Sequence, residues 1–229
     1  MKKVLFWDFY GTLSIPDKLW SVNICRAALD VFPDCGITFE RVVAYLDNGG
    51  FPWNHPERDY LDITEPNEWW KYVEKLFYST YIRCGLTRSE ALQAVPMVRR
   101  RIIDIKNYRL YEDAEFVLKA LSQKGYSHIM LSNNFPELED ICNKLGIGKY
   151  FEDYIVSALV GYNKPRKEIF DIAIEKAGFP ETCFIIGDSV SADIDGAKNA
   201  GIKAILVNSS TECNADYCCN SLTELLNIL

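Results

Sequence analysis

From Tyr108 to the end of the chain, short apolar runs alternate with segments whose apolar residues recur every three or four positions. The apolar runs predict strands and the periodic segments predict helices. Strands separated by helical crossovers pair in parallel, with helices on both faces of the sheet. One more apolar run, Val4–Trp7, precedes this region and predicts a first strand that is buried on both faces. The sequence therefore predicts an α/β fold with a doubly wound parallel sheet.

Residues 15–107 follow a different pattern, in which helical periodicity recurs and no strand is predicted. Thr87 is followed by Glu90 three positions later, which is the spacing of a capping box at a helix start. A stretch rich in Gly, Pro and Asn lies between the predicted helices and indicates a loop. We expect residues 1–14 and 108–229 to form the sheet domain, and residues 15–107 to form an inserted all-helical domain.

The charge of the chain argues against some classes of partner. Its 229 residues include 32 acidic and 25 basic side chains, so the formal net charge is −7. Such a surface does not attract nucleic acid or anionic membranes. The basic run Arg99–Arg101 lies in a helical pattern and is interpreted as a solvated helix face. No apolar run approaches the length of a membrane helix, so neither nucleic acid nor a membrane is expected as a partner.

The cysteines and the N-terminus indicate a location. Eight cysteines form no CxxC pair, which favours buried, reduced thiols over disulfides or a metal clip. Lys2 and Lys3 are followed by only four apolar residues, which is too short for a signal peptide. We therefore expect a cytoplasmic protein, as a monomer or a homodimer.

Polar residues follow the predicted strands where each strand ends. Asp8 follows the first strand, Ser132 and Asn133 end the second, and Asp188 follows a later one. Ligands bind beyond the carboxyl ends of the strands in open parallel sheets. Lys164, which precedes a predicted helix, belongs to the same group.

These residue types suit phosphoryl transfer. An Asp8 carboxylate that attacks a phosphate must overcome charge repulsion, which a divalent cation held by Asp8 and Asp188 would cancel. Mg²⁺ prefers oxygen ligands of this kind. Ser132 and Asn133 can hold phosphate oxygens, and Lys164 can neutralise developing charge. Asp8 would then form an aspartyl-phosphate.

Four segments carry a family resemblance: LFWDFYGTL, IMLSNN, NKPRKEIF and FIIGDSVSADIDGAKNAG. In this order and with these connectors, the chain resembles the haloacid dehalogenase-like superfamily of hydrolases. The resemblance implies a Rossmann-like core and a C1-type helical cap that selects substrates. It also implies roles for the site residues. Asp8 would be the nucleophile, and Asp8, the Tyr10 carbonyl and Asp188 would hold Mg²⁺. Ser132 and Lys164 would hold the phosphate, and Asp193, beside the metal, would support the lysine or a metal-bound water.

Tyr10 departs from the pattern of the family's phosphatases, which usually have an acid–base Asp at this position. A phenol with a pKa of about 10 can donate a proton but is a poor base at neutral pH. The favoured function is a Mg²⁺-dependent phosphohydrolase that acts on a small phosphorylated metabolite, with Tyr10 in place of the usual Asp. Two alternatives remain open, a 2-haloacid dehalogenase, whose family members carry Tyr here, and a protein that binds a phosphorylated ligand with little or no turnover.

The substrate is expected to be selected by the cap, since loops carry specificity. Phe51, Trp53 and His55 lie in the predicted loop and are candidate substrate contacts. The sequence does not name the substrate.

Overall fold

The structure, a computed structural model, describes residues 2–46 and 50–229. Its centre is a six-stranded sheet in which every neighbouring pair of strands runs parallel. The strands are β1 (Lys3–Trp7), β2 (Tyr126–Ser132), β3 (Phe151–Val156), β4 (Thr182–Gly187), β5 (Lys203–Val207) and β6 (Tyr217–Cys219). Their order across the sheet is β3-β2-β1-β4-β5-β6. The predicted α/β fold with a parallel sheet is confirmed, and β1 lies between β2 and β4.

Helices cover both faces of the sheet. The α-helices are α1 (Leu19–Val31), α2 (Phe39–Tyr45), α3 (Pro66–Arg83), α4 (Arg88–Ile102), α5 (Ala114–Gln123), α6 (Leu138–Lys144), α7 (Ser157–Val160), α8 (Lys167–Lys176) and α9 (Gly196–Asn199). Val4 and Phe6 pack into a core cluster that includes α8, whereas Leu5 and Trp7 pack into a second cluster that includes α5. Since successive strand residues point to opposite faces, β1 is buried on both sides, as the apolar run predicts.

The described residues between β1 and α5 contain α1 to α4 and short 3₁₀ helices, and no strand. At the start of α4, the Thr87 side chain accepts a hydrogen bond from the Glu90 main chain, and the Glu90 side chain accepts one from the Thr87 main chain. The predicted capping box is therefore confirmed. The division into a core of 1–14 with 108–229 and a cap of 15–107 stays a prediction.

Two elements near the C-terminus go beyond the sequence expectation. β6 lacks a strand signal of its own and is held by pairing with β5 at the sheet edge. The C-terminal periodic segment, for which the pattern predicts a helix, forms a 3₁₀ helix at Leu222–Asn227. Its buried residues, Leu222 and Leu225, are three positions apart, which suits three residues per turn.

The basic run lies on α4, and two of its three residues, which are partly exposed, form ion pairs. Arg99 pairs with Glu137, with Nη2 2.6 Å from Oε1. Arg101 donates from two nitrogens to the carboxylate of Asp30. Sequence periodicity places these arginines on a helix but does not reveal acidic partners on distant elements. Among the described helices, none has the combination of length and apolarity that crossing a membrane requires.

Candidate active site

The carboxylates that follow β1 and β4 lie at the same edge of the sheet. β1 and β4 are adjacent and parallel, with Trp7 opposite Ile186, and the Asp8 main-chain N–H donates to the Ile186 carbonyl at 2.9 Å. Asp8 and Asp188 are therefore brought together by strand pairing. With Asp193, they each offer a carboxylate oxygen, and these oxygens lie within 4.8 Å of one another.

Lys164 binds two of these carboxylates. Its Nζ lies 2.8 Å from Asp8 Oδ1 and 2.5 Å from Asp193 Oδ1, and it donates to the Leu131 carbonyl at 2.9 Å. The three donors of the ammonium group are thus all used, and the side chain is 2% exposed. Desolvation alone would lower the pKa of Lys164, but the Asp193 and Asp8 carboxylates raise it above its ordinary value. The lysine is therefore a permanent cation beside Asp8.

Asp193 is completely buried, and both of its oxygens have partners. Oδ1 accepts from Lys164, and Oδ2 accepts from the Ser189 main-chain N–H at 3.1 Å. Burial raises the pKa of Asp193, while the ion pair with Lys164 opposes that rise. The arrangement gives Lys164 a second carboxylate partner besides Asp8.

Asp188 is placed by the segment that follows β1. The Thr12 hydroxyl donates to Asp188 Oδ1 at 3.1 Å. Gly11 has a φ of +92°, and a Cβ at this position would overlap the Asp188 carboxylate. Burial and the nearby Asp8 charge raise the pKa of Asp188 to about 6. Thr12 is a site residue that sequence reasoning about strand ends did not single out, although it directly follows Gly11.

The spacing of the carboxylate oxygens can be compared with the spacing that Mg²⁺ requires of its ligands. Octahedral Mg²⁺ with oxygen ligands at about 2.1 Å places those ligands within about 4.2 Å of each other. The carboxylate cluster approaches this spacing. Lys164 and Thr12 each bind only one oxygen, of Asp8 and Asp188 respectively, which leaves each carboxylate a second oxygen for a cation. The residues present therefore fit a hard divalent ion.

Of the two predicted phosphate-binding residues at the end of β2, Asn133 lines the cavity and Ser132 does not. Asn133 lines the cavity above Asp8, but its amide is bound to the main chain of Lys164, donating to the carbonyl at 2.9 Å and accepting from the N–H at 2.7 Å. Ser132 is buried, lies next to the Asn134 amide, and is not among the cavity residues. Asn134, the next residue of the same strand end, lines the cavity instead.

Tyr10 lines the same cavity. Its phenol oxygen accepts a hydrogen bond from the Asp17 main-chain N–H at 2.5 Å. Burial raises the pKa of Tyr10 above its ordinary value. The hydroxyl therefore stays protonated at neutral pH, with its proton available for donation.

The cavity has a volume of about 390 Å³ and extends from the carboxylates to the helical region. Phe51 and Trp53 line it, as the loop interpretation predicts, together with Trp20 of α1. His55 does not line it. Instead its Nδ1 lies 3.1 Å from Glu57 Oε1. The residues that line the cavity are Asp8, Tyr10, Leu19, Trp20, Phe51, Trp53, Asn54, Tyr108, Asn133, Asn134, Phe135, Lys164, Asp188, Ser189, Ala192 and Asp193.

Comparisons with known proteins agree with this geometry. A family model described as haloacid dehalogenase-like hydrolase matches residues 2–201. A glyceraldehyde 3-phosphate phosphatase of Methanothermobacter thermautotrophicus is 34% identical over 55% of this chain and 57% of its own length. A phosphatase of the same name from Pyrococcus furiosus is 26% identical over 99% of this chain and 92% of its own length. The chain spans about half the length of most curated relatives that it matches.

A solved structure shares the fold. The HAD-hydrolase YfnB of Bacillus subtilis, bound to magnesium, superimposes with a TM-score of 0.74 over 100% of this chain and 98% of its own, at 22% identity. At this identity the likeness concerns the fold alone. It extends over the helical residues as well as the sheet.

Proposed function

Because the chain belongs to the haloacid dehalogenase-like hydrolases, we propose that it is a Mg²⁺-dependent phosphohydrolase of a small phosphorylated metabolite, with Asp8 as nucleophile. One observation carries the proposal. Asp8 and Asp188 offer oxygens within 4.8 Å of each other, in a group that also contains Asp193, and Lys164 donates a hydrogen bond to Asp8. An uncompensated second carboxylate would repel Asp8, whereas a shared cation makes the cluster functional.

Asp8 and Asp188 would hold the ion through their second oxygens, with the Tyr10 main-chain carbonyl as a further ligand. Mg²⁺ bound there supplies positive charge between the nucleophile and the incoming phosphate. Asp193 would support the site by orienting Lys164, since its two oxygens accept hydrogen bonds from Lys164 and from the Ser189 main chain. Lys164 would place its positive charge beside the phosphate, and it would have to release one of its three present partners, Asp8, Asp193 or the Leu131 carbonyl, to donate to a phosphate oxygen. Asn133 and Asn134 border the same space. Ser132 would need a change of side-chain orientation to join them.

The reaction would proceed in two steps. An Asp8 oxygen attacks phosphorus, the bond between phosphorus and the leaving oxygen breaks, and the Tyr10 hydroxyl gives that oxygen its proton. Water then attacks the aspartyl-phosphate and gives a proton to the Tyr10 phenolate. This second attack breaks the bond from phosphorus to Asp8, releases phosphate, and restores both residues.

Phosphate release from a panel of small esters, with Mg²⁺ or with EDTA, tests the proposal. We expect Mg²⁺-dependent turnover that Asp8→Asn abolishes. Asp195→Asn is the matched control, because Asp195 is an exposed aspartate on the same segment as Asp193. The absence of turnover with every ester, with or without EDTA, would contradict the proposal. Metal-independent halide release from 2-chloropropionate would instead favour the dehalogenase alternative.

A second candidate function rests on Tyr10. Because burial raises the pKa of this phenol, its conversion to phenolate is costly and turnover could be slow enough for the protein to act as a binder of phosphorylated ligands. Tyr10→Asp separates the two functions. Activity that appears only in this variant favours the binder, and turnover by the unmodified chain favours the phosphohydrolase.

The domain division and the location are proposals as well. We propose that residues 15–107 act as a cap, which is supported by the contribution of Trp20, Phe51 and Trp53 to the cavity over Asp8. We propose a cytoplasmic location, which is supported by eight cysteines that form no disulfide. Limited proteolysis and thiol titration of the unreduced protein test these two statements.

A further inference from the structure

The cavity has two chemically different ends, a charged end at Asp8 and an aromatic end contributed by the helical region. We propose that the aromatic end binds a neutral aromatic leaving group, so that the preferred substrates are phosphate monoesters of uncharged aromatic alcohols. This inference rests on the proposed phosphohydrolase function and adds the class of substrate to it.

The aromatic end is a wall of rings that position one another. Phe51 stacks on Trp53 with ring centroids 4.7 Å apart and an interplanar angle of 8°. Trp20 lies 4.7 Å from Phe51, and its ring meets the ring of Phe135 edge-on at 6.3 Å. Trp20 and Trp53 are half-buried and line the cavity. A preformed wall of this kind favours an aromatic group, because stacked and edge-on ring contacts stabilise beyond simple burial.

The cavity offers no free positive charge at this end. Among the described residues that line it, Lys164 is the one basic side chain, and its three donors are bound to Asp8, Asp193 and the Leu131 carbonyl. A carboxylate on the leaving group would therefore lose its hydration without gaining a counter-charge, which is unfavourable. The carboxylates at the opposite end would add repulsion.

The size and the polar rim of the cavity agree with this class. A volume of about 390 Å³ is at the lower end of the range typical of small-molecule sites and has room for a phosphate and a ring. Asn54 is exposed, and among the described residues of the helical region that line the cavity it is the one with an amide side chain. Its amide can both donate and accept hydrogen bonds, so it suits a neutral polar substituent better than a charged one.

A matched pair of esters tests the inference. Benzyl phosphate and 4-carboxybenzyl phosphate differ by one remote carboxylate. We expect kcat/KM for benzyl phosphate to be at least about tenfold higher, since a site discriminates strongly against a group that it leaves unpaired. Equal or better hydrolysis of the carboxylated ester would overturn the inference while leaving the phosphohydrolase function intact.

A charge introduced at the aromatic end provides the converse test. Asn54→Lys places a cation beside the ring of the leaving group, and we expect it to raise kcat/KM for the carboxylated ester relative to benzyl phosphate by about tenfold. Gln93→Lys is the matched control, since Gln93 is an exposed amide on α4 that lies outside the cavity. If the ratio of kcat/KM for the two esters is the same in Asn54→Lys as in Gln93→Lys and in the unmodified chain, the inference is overturned.

Binding of compounds that cannot be hydrolysed tests this inference independently of the proposed phosphohydrolase function. Benzylphosphonate and 4-carboxybenzylphosphonate cannot be hydrolysed, and their binding in the presence of Mg²⁺ is measured by quenching of tryptophan fluorescence. Tighter binding of the uncharged phosphonate supports the aromatic site even if no ester is turned over. Equal affinities, or no binding of either compound, overturn it.

Discussion

Lys164 Nζ lies 2.5 Å from Asp193 Oδ1, and both side chains are almost completely buried. Asp193 is therefore proposed to act on the site through the lysine. A buried ammonium needs such partners, because an unpaired charge in the interior is strongly destabilising. Asp8 and Asp188 each keep an oxygen for a cation, because Lys164 and Thr12 bind one oxygen of each.

The first prediction concerns Asp193→Asn. We expect kcat to fall by about 10- to 100-fold, as is typical when a residue that orients another is changed. Mg²⁺ affinity, measured by calorimetry, should change only a few-fold if Asp193 acts through Lys164 and is not a direct ligand. Asp188→Asn is the comparison and should abolish Mg²⁺ uptake. Equal losses of Mg²⁺ binding in the two variants would show that Asp193 is a direct metal ligand.

The second prediction concerns Tyr10→Phe. If the Tyr10 hydroxyl protonates the leaving oxygen, hydrolysis of an alkyl phosphate should slow by about 10²-fold or more, which is the low end for a positioned acid. Acetyl phosphate has a leaving group that needs little protonation, so its hydrolysis should change little. Rates of the two substrates are compared in the same preparation. A uniform loss would indicate that Tyr10 acts only through its hydrogen bond with the Asp17 main chain.

The sequence predicts the parts of the site that depend on strand pairing. Asp8 and Asp188 end adjacent parallel strands, so apolar runs and their order are enough to bring them to one edge. The match of the family model confirms the resemblance that these residues carry. The carboxylate cluster is thus a consequence of the backbone topology.

The sequence does not predict how polar side chains divide their hydrogen bonds. Asn133 lies at the expected strand end, yet its amide is used by the Lys164 main chain. Arg99 lies on the expected helix, yet it pairs with a glutamate 38 positions away. Both outcomes depend on which distant segment packs nearby, and residue spacing does not indicate tertiary packing.

The third prediction concerns His128, which is buried in β2. Trp7 Nε1 donates to His128 Nδ1 at 2.8 Å. Because an indole nitrogen only donates, Nδ1 is unprotonated and Nε2 carries the hydrogen, 3.1 Å from the Ser122 hydroxyl. Burial lowers the pKa of His128 to about 4. The fold therefore requires the neutral ring.

The sign of the pH effect follows from this. Between pH 6.5 and pH 4, His128 binds a proton in the unfolded chain but not in the folded one, so the free energy of unfolding is fully retained above pH 6.5 and falls as the pH drops. The loss should approach about 3 kcal/mol near pH 4. NMR titration measures the His128 pKa directly, since the chain has only two histidines. Protonation of the buried ring near pH 6.5 would contradict the prediction.

The last prediction concerns the contact between the helical region and α6. Glu137 precedes α6 and accepts hydrogen bonds from Trp70 Nε1 of α3 and from Arg99 of α4. The Arg99 and Glu137 side chains are 32% and 16% exposed, so the pair is partly shielded from solvent. It joins α3 and α4 to the segment between β2 and α6, and the Trp70 ring of α3 lies 6.1 Å from the Trp20 ring of the aromatic wall.

Glu137→Gln keeps the shape of this contact and removes its charge. We expect the free energy of unfolding to fall by about 1–2 kcal/mol, which is the scale of a charge-assisted hydrogen bond. KM should rise more than kcat falls, because the variant weakens positioning of the wall but leaves the carboxylates in place. Asp30→Asn is the control, since the Arg101–Asp30 pair lies within the helical region. Its steady-state kinetics should match those of the unmodified chain, and an equal rise in KM there would show that the effect does not come from the contact with α6.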